Sequence, residues 1–251
     1  DGVTWDLPLW QIFVTVGGVI SVWRDEREFI GQYVPTAVTE ERVYLEEEWF
    51  VPKSTMVTGE LINSFEILVV GANSIIVPVR DANFGSGGVR LRYVADGTPG
   101  NSVQMLIPLQ MWPDAINGHL KMRSKQPDSD ANLDRILGFT DNIGLSLTPT
   151  NGVFFRANGA ANWFAVTRAA GVETATDTGQ ALDNTWRKFE IRHTGSSVVV
   201  FLIDDVVVAT HDTNVPSAEM SLQHAIFDDG AVEPPNTDYM DVDLTKLTGD
   251  R

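Results

Sequence analysis

Two sets of side chains have residue types that could act on a sugar. Glycoside hydrolysis takes two carboxylates at the scissile bond, one as nucleophile or base and one as acid. On a strand, such residues share a face only at alternate positions. The densest acidic stretch holds Asp228, Asp229, Glu233, Asp238, Asp241 and Asp243. Asp241 and Asp243 have the alternate spacing, but no third acid follows them. The second set is Gln223-His224-Ala225. Abstracting a proton beside a uronate needs a positioned base and a cation that neutralises the carboxylate. Val89-Arg90-Leu91-Arg92 is not a substitute for the Arg-rich strand such a site would use, so His224 reads as a strand residue beside a hydrogen-bond partner.

Other chemistries find less support. His119, His193, His211 and His224 are too scattered to define a metal site. Asp228, Asp229, Asp241 and Asp243 are weak calcium candidates by ligand type, and Asp204-Asp205 is another. No twelve-residue calcium loop is present, so these acids read as a solvated loop, and no cofactor is expected. No Gly-rich loop opens a helix with a Lys, and Ser146 in Gly144-Leu145-Ser146-Leu147 lacks the second Gly of a nucleophile elbow. Of the seven Trp, Trp112 beside Pro113 and Trp163 beside the Asn158–Asn162 turn are the candidates for stacking on a sugar. Trp186 reads as packing.

The elements that must position these residues are strands. Beyond Val51, short β-rich runs alternate with Gly, Asn and Pro turns, as in Phe65–Val70, Val89–Val94, Gly152–Ala157, Val198–Ile203 and Val206–His211. Ser197 to Ile203 is continuously apolar after its first residue, which predicts a strand covered on both faces. Many short strands with few helical patterns predict a β-sandwich or jelly roll. The N-terminal 50 residues read as a separate arm, and residues 51–251 as one sandwich. Ile12, Phe13, Val14, Val16, Val19, Ile20, Val22 and Trp23 flank Gly17-Gly18, which predicts a tight hairpin offered for assembly. Thr39 to Phe50 reads as a short amphipathic helix, with a strand as the alternative. The uncharged stretch Leu7 to Trp23 is short and holds Pro8, Gly17 and Gly18, so no membrane span is expected. Asp1 in place of Met predicts a processed or truncated start.

Composition sets outer bounds. The 251 residues carry 18 Lys+Arg against 34 Asp+Glu, a formal charge of −16. That argues against nucleic acid held on a broad basic face, and against an anionic membrane. The chain has no Cys, which excludes disulfides, Cys-ligated zinc and thiol nucleophiles.

Trp186, Phe189, Ile191, Val199, Phe201, Ile203, Asp204, Asp205, Val208, Ala209, His211 and Pro216 follow one another in an order that resembles the concanavalin A-like sandwich of the laminin G and laminarinase type. Met240-Asp241-Val242-Asp243-Leu244 looks like its closing strand. The resemblance implies an all-β, antiparallel concanavalin-like sandwich over roughly residues 55–247. Asp205 departs from the Gly usual in the turn. The E-x-D-x-x-E strand of laminarinase-type enzymes is absent.

A further set is similar to concanavalin-like structural proteins of tailed bacteriophages. It comprises Gly138-Phe139-Thr140-Asp141, Gly152-Val153-Phe154-Phe155, Trp163-Phe164-Ala165-Val166-Thr167 and a Thr174-Ala175-Thr176-Asp177-Thr178-Gly179 loop. That similarity implies a non-enzymatic virion structural protein, a capsid decoration or cement protein on the particle surface. Its partners would be viral capsid or tail proteins and sibling subunits. A carbohydrate-binding module that takes a glycan is the alternative, and a polysaccharide-active enzyme is a third.

Overall fold

The structure is a computed structural model. It describes residues 10–14, 20–25, 42–48, 61–62, 65–70, 75–80, 89–94, 100–112, 116–126, 133–141, 148–158, 162–194, 197–228 and 239–250. The chain divides into two compact units, Asp1–Thr39 and Glu40–Arg251.

The first unit holds β1 (Trp10–Val14) and β2 (Ile20–Asp25), paired antiparallel. Ile12 lies opposite Trp23 and Phe13 opposite Val22, and the Gly17-Gly18 turn expected between the strands lies outside the described residues. A one-residue shift follows at Val14.

The second unit opens with β3 (Arg42–Glu48), β4 (Leu61–Ile62), β5 (Phe65–Val70), β6 (Ile75–Arg80) and β7 (Val89–Val94). β8 (Ser102–Trp112), β9 (Ile116–Lys125), β10 (Leu133–Thr140), β11 (Gly152–Asn158) and β12 (Asn162–Ala169) follow. The chain continues through β13 (Val172–Ala181), β14 (Arg187–Thr194), β15 (Val198–Ile203), β16 (Val206–His211), β17 (Met220–Asp228) and β18 (Tyr239–Asp250). Sheet I runs in the order β13-β12-β11-β10-β17-β8-β5-β4. Sheet II runs β16-β15-β14-β9-β18-β7-β6, with β3 also paired to β18. Every pairing is antiparallel.

Alternation along each strand decides what lies between the sheets. Leu133, Leu137 and Phe139 of β10 and Leu222 and Ile226 of β17 meet Phe189 and Ile191 of β14 and Phe201 of β15 in one buried cluster. Trp163 is its largest wholly buried side chain, tilted on Phe189 at 4.8 Å between ring centroids. Phe155 packs edge-on against Phe189 and Phe201 at 5.1 and 5.3 Å. β15 is apolar throughout; Val199, Phe201 and Ile203 are buried in the cluster, but Val198 and Val200 on its other face are only part-buried, so the expected cover on both faces is incomplete.

Two elements differ from their sequence reading. The segment read as a short helix over 39–50 holds strand β3, which pairs with β18 from Leu244 to Gly249. Tertiary pairing overrides a weak local helix pattern there. The Thr174–Gly179 stretch is the middle of edge strand β13 and not a loop. Its Thr-rich sequence has no apolar run because an edge strand buries little: Thr176 reaches His211 Nε2 at 2.9 Å and Thr178 reaches the Trp163 carbonyl at 2.7 Å. The Asp204-Asp205 turn forms as expected. Both residues adopt positive φ, 50° and 66°, and the Asp204 carboxylate accepts from the Lys188 N–H at 2.9 Å and Arg187 Nη1 at 3.0 Å.

Candidate functional site

The outward face of sheet I is built from alternate residues of β10, β11, β12, β13 and β17. On β10 these are Asp134, Ile136, Gly138 and Thr140. Ile136, Phe154, Val166, Ala225 and Phe227 form a second apolar cluster there, with Phe164 packed against it. A polar ladder crosses the centre. Thr140 Oγ1 donates to Gln223 Oε1 at 2.6 Å, and Gln223 Nε2 donates to Gln104 Oε1 at 2.6 Å. Gln104 Nε2 and Ser102 Oγ, next along, are buried without a hydrogen-bond partner. An unmet buried donor costs about 1–3 kcal/mol, and both groups are closed off from solvent.

Toward β13 the same face opens. Phe164 is half-buried, directly opposite Arg156 on β11 and Asp177 on β13. Arg156 spans β12 and grips Glu173 with both terminal nitrogens at 2.9 Å. Arg168 Nη1 reaches the same carboxylate at 3.1 Å. Burial raises the Glu173 carboxyl, but the hydrogen bonds and charge of Arg156 and Arg168 outweigh it and leave the group below its ordinary value. Asn162 Nδ2 holds Asp177 at 3.1 and 3.2 Å. The result is a phenyl ring among planar donors and acceptors that are already locked in place. That combination suits an apolar sugar face together with ring hydroxyls.

The residues singled out from the sequence are placed elsewhere. Trp163 is buried against Phe189 and cannot offer its ring to a sugar, which corrects that expectation. Its indole N–H has no hydrogen-bond partner. Trp163→Phe is therefore expected to cost only about 1 kcal/mol in urea unfolding, because it loses volume but no hydrogen bond. A loss above roughly 3 kcal/mol would show the indole N–H to be used. The side chains of Trp112, of Asp229 and of the hairpin residues Ile12, Phe13, Val14, Val16, Val19, Ile20, Val22 and Trp23 lie outside the described residues.

Asp228 and Asp241 are buried, and Asp243 pairs with Arg123 at 3.0 Å. Among the described residues no cluster of three or more His, Asp or Glu could hold a metal ion. His224 points between the sheets. Its Nδ1 lies 3.2 Å from the Tyr93 hydroxyl and its Nε2 3.2 Å from Thr245 Oγ1, and burial lowers its imidazole to about 3. Sequence reasoning missed Phe164, Arg156, Arg168 and Glu173. Alternation along β12 would have joined Phe164 to Arg168, but Glu173 needed β13 to be read as a strand.

A two-sheet antiparallel sandwich of this kind is the concanavalin-like fold. Residues 111–241 match the family model described as SO2946-like, C-terminal domain, and the chain belongs to that family. The protein of unknown function SO2946 from Shewanella oneidensis MR-1 is similar over 90% of this chain and 93% of its own, with TM-score 0.60 and 13% identity. The laminarinase catalytic domain of Thermotoga maritima MSB8 is similar over 84% of this chain and 99% of its own, with TM-score 0.56 and 11% identity. The β-glucanase of Bacillus licheniformis is similar over 80% of this chain and 100% of its own, with TM-score 0.51 and 12% identity. No curated protein matches the sequence.

These similarities overturn the expectation of a non-enzymatic protein, because the fold is shared with glycoside hydrolases. On β10 the outward residues include one carboxylate, Asp134. No helix among the described residues is long and apolar enough to cross a membrane.

Proposed function

We propose that this protein is carbohydrate-directed and engages a glycan on the outward face of sheet I, beside β12 and β13. The half-buried Phe164 ring flanked by the Arg156–Glu173–Arg168 cluster carries this reading. An aromatic face with converging, pre-positioned polar groups is what sugar recognition uses. The sandwich that this chain shares with laminarinase and β-glucanase supports the same class of ligand. The test is a glycan array followed by calorimetry, with reducing-end release measured on every glycan that binds. Phe164→Ala is expected to weaken binding about tenfold or more, by loss of stacking, while the protein stays folded. Unchanged affinity in folded Phe164→Ala would place the ligand elsewhere.

A second reading rests on the sequence likeness to tailed-phage structural proteins. In it the sandwich is carried on a virion, and the Ile12–Trp23 hairpin attaches it to capsid, tail or sibling subunits by strand addition. Deleting residues 1–34 is then expected to abolish attachment to particles. Full attachment without them would remove the hairpin from that role.

A further inference from the structure

The outward face of sheet II is built differently. His119, Lys121, Arg123 and Lys125 alternate on β9, and Lys188, Glu190 and Arg192 on β14. Lys246 of β18 stands in the next strand. Lys121, Arg123, Lys125, Lys188, Arg192 and Lys246 thus gather on three adjacent strands, in a chain with 18 Lys+Arg against 34 Asp+Glu.

The register makes the gathering costly. Lys121 lies directly opposite Lys246, and Arg123 directly opposite Lys188. Like charges directly opposite each other destabilise a sheet. Glu190 sits among them, wholly buried, and binds Lys188, Arg192 and His119. Burial raises its carboxyl, but hydrogen bonds from those three residues bring it down to about 2, so it stays a fixed anion. Asp243 takes Arg123 at 3.0 Å, and Asp241 lies opposite Lys125. On β14, β9 and β18 the face still carries six cations against three carboxylates, with Glu46 of β3 opposite Lys246, and Lys121 has no ion-pair partner among the described residues.

Two of the cations are held ready. The half-buried Trp186 ring lies under Arg123 Cζ at 5.1 Å and Lys125 Nζ at 5.7 Å from its centroid. Cation–π contact fixes their heads on the sheet and lowers the ordering cost of binding. Alternate strand residues stand about 6.5–7 Å apart, so Lys121, Arg123 and Lys125 form a straight row.

We infer that this face binds an acidic polysaccharide, one that carries a carboxylate or sulfate on successive sugars and lies along β9. A straight row of spaced cations suits a chain with about one charge per sugar. A DNA duplex has about one charge per 1.7 Å of axis, and the remaining acids of this chain would repel it far more. The inference does not depend on the Phe164 site, which is on the other sheet.

The test uses the full chain at about 0.15 M salt, where screening acts within about 8 Å and the local patch outweighs the net charge. The probes are a polyuronate, a sulfated galactan, a neutral glucan and a DNA duplex. The polyuronate or the sulfated galactan is expected to bind, and which of the two binds tells carboxylate from sulfate. Affinity should fall about tenfold in Lys121→Gln/Lys125→Gln, hold in Lys121→Arg, and be unmoved by Phe164→Ala. Failure of both acidic glycans to bind, tighter binding of DNA, or an unchanged affinity in folded Lys121→Gln/Lys125→Gln would each overturn the inference.

Discussion

Lowering the pH from 7 to 3 is expected to remove about 4 kcal/mol of folding stability through His224 alone. The imidazole is enclosed between the sheets, and burial lowers it to about 3, from 6.5 in the open chain. The neutral ring satisfies its neighbours in one direction. Nδ1–H donates to the Tyr93 oxygen, the Tyr93 hydroxyl donates to Met105 Sδ at 3.1 Å, and the Thr245 hydroxyl donates to Nε2. A second proton would have to enter at Nε2, where Thr245 already donates. Above pH 6.5 both folded and unfolded chains hold the ring neutral, so the full stability is present. As the pH falls below 6.5 the unfolded chain takes up the proton and the folded one does not, and stability declines until about pH 3.

Glu190 adds to this loss only between its ordinary 4.5 and about 2. His119 and His211 are also lowered, mainly by burial, and act with the same sign. The measurement is urea unfolding at stepped pH in the wild type and in His224→Gln. The variant should lose a slope of about 1.4 kcal/mol per pH unit between pH 6 and 4. Equal slopes in the two proteins would mean that His224 is reached by protons without unfolding.

Gly138→Ala is expected to cost more than about 4 kcal/mol, enough to leave little folded protein. Gly138 has a φ of +146°, which other residues rarely adopt. A Cβ there would stand 2.5 Å from the Val153 carbonyl oxygen and 2.7 Å from Phe154 Cα, both backbone atoms of the neighbouring strand. A flexible side chain could swing aside, but a paired strand cannot, so β10 and β11 would have to part. Gly171→Asn is the control. That glycine also has positive φ, +83°, but a Cβ meets no atom within 4 Å, and Asn tolerates the conformation. Thermal and urea unfolding of both variants checks this. A Gly138→Ala protein within about 1 kcal/mol of wild type would show that the β10–β11 pairing yields at this point.

The same residues explain how far the sequence could be read. Gly138-Phe139-Thr140-Asp141 was legible as a motif, and its parts prove structural. Gly138 admits β11, Phe139 fills the core, Thr140 starts the Gln223 ladder, and Asp141 Oδ2 accepts from the Asn151 N–H at 2.9 Å and from its Nδ2 at 2.8 Å. A motif made of packing and turn contacts reports a fold, and the sandwich was accordingly legible. Phe65–Val70, Val89–Val94, Val198–Ile203 and Val206–His211 are strands with the bounds their apolar runs suggest. The faces were not legible. Lys121, Lys188 and Lys246 are far apart in the chain and become neighbours only through the β14-β9-β18 order. The net charge of −16 hid a cationic surface because it sums over both sheets.

The order of strands also sets when folding can finish. β18, made from residues 239–250, lies between β9 and β7 in the middle of sheet II, and β17 lies between β10 and β8 in sheet I. Both sheets therefore keep an open slot until those residues have left the ribosome, and most of each interior stays wet until then. Folding should be late, slow and dominated by distant pairings, with unpaired strand edges exposed in the meantime. A stalled or clipped chain that ends before Tyr239 would lack a central strand, and it should be cleared or aggregate rather than persist as a smaller domain.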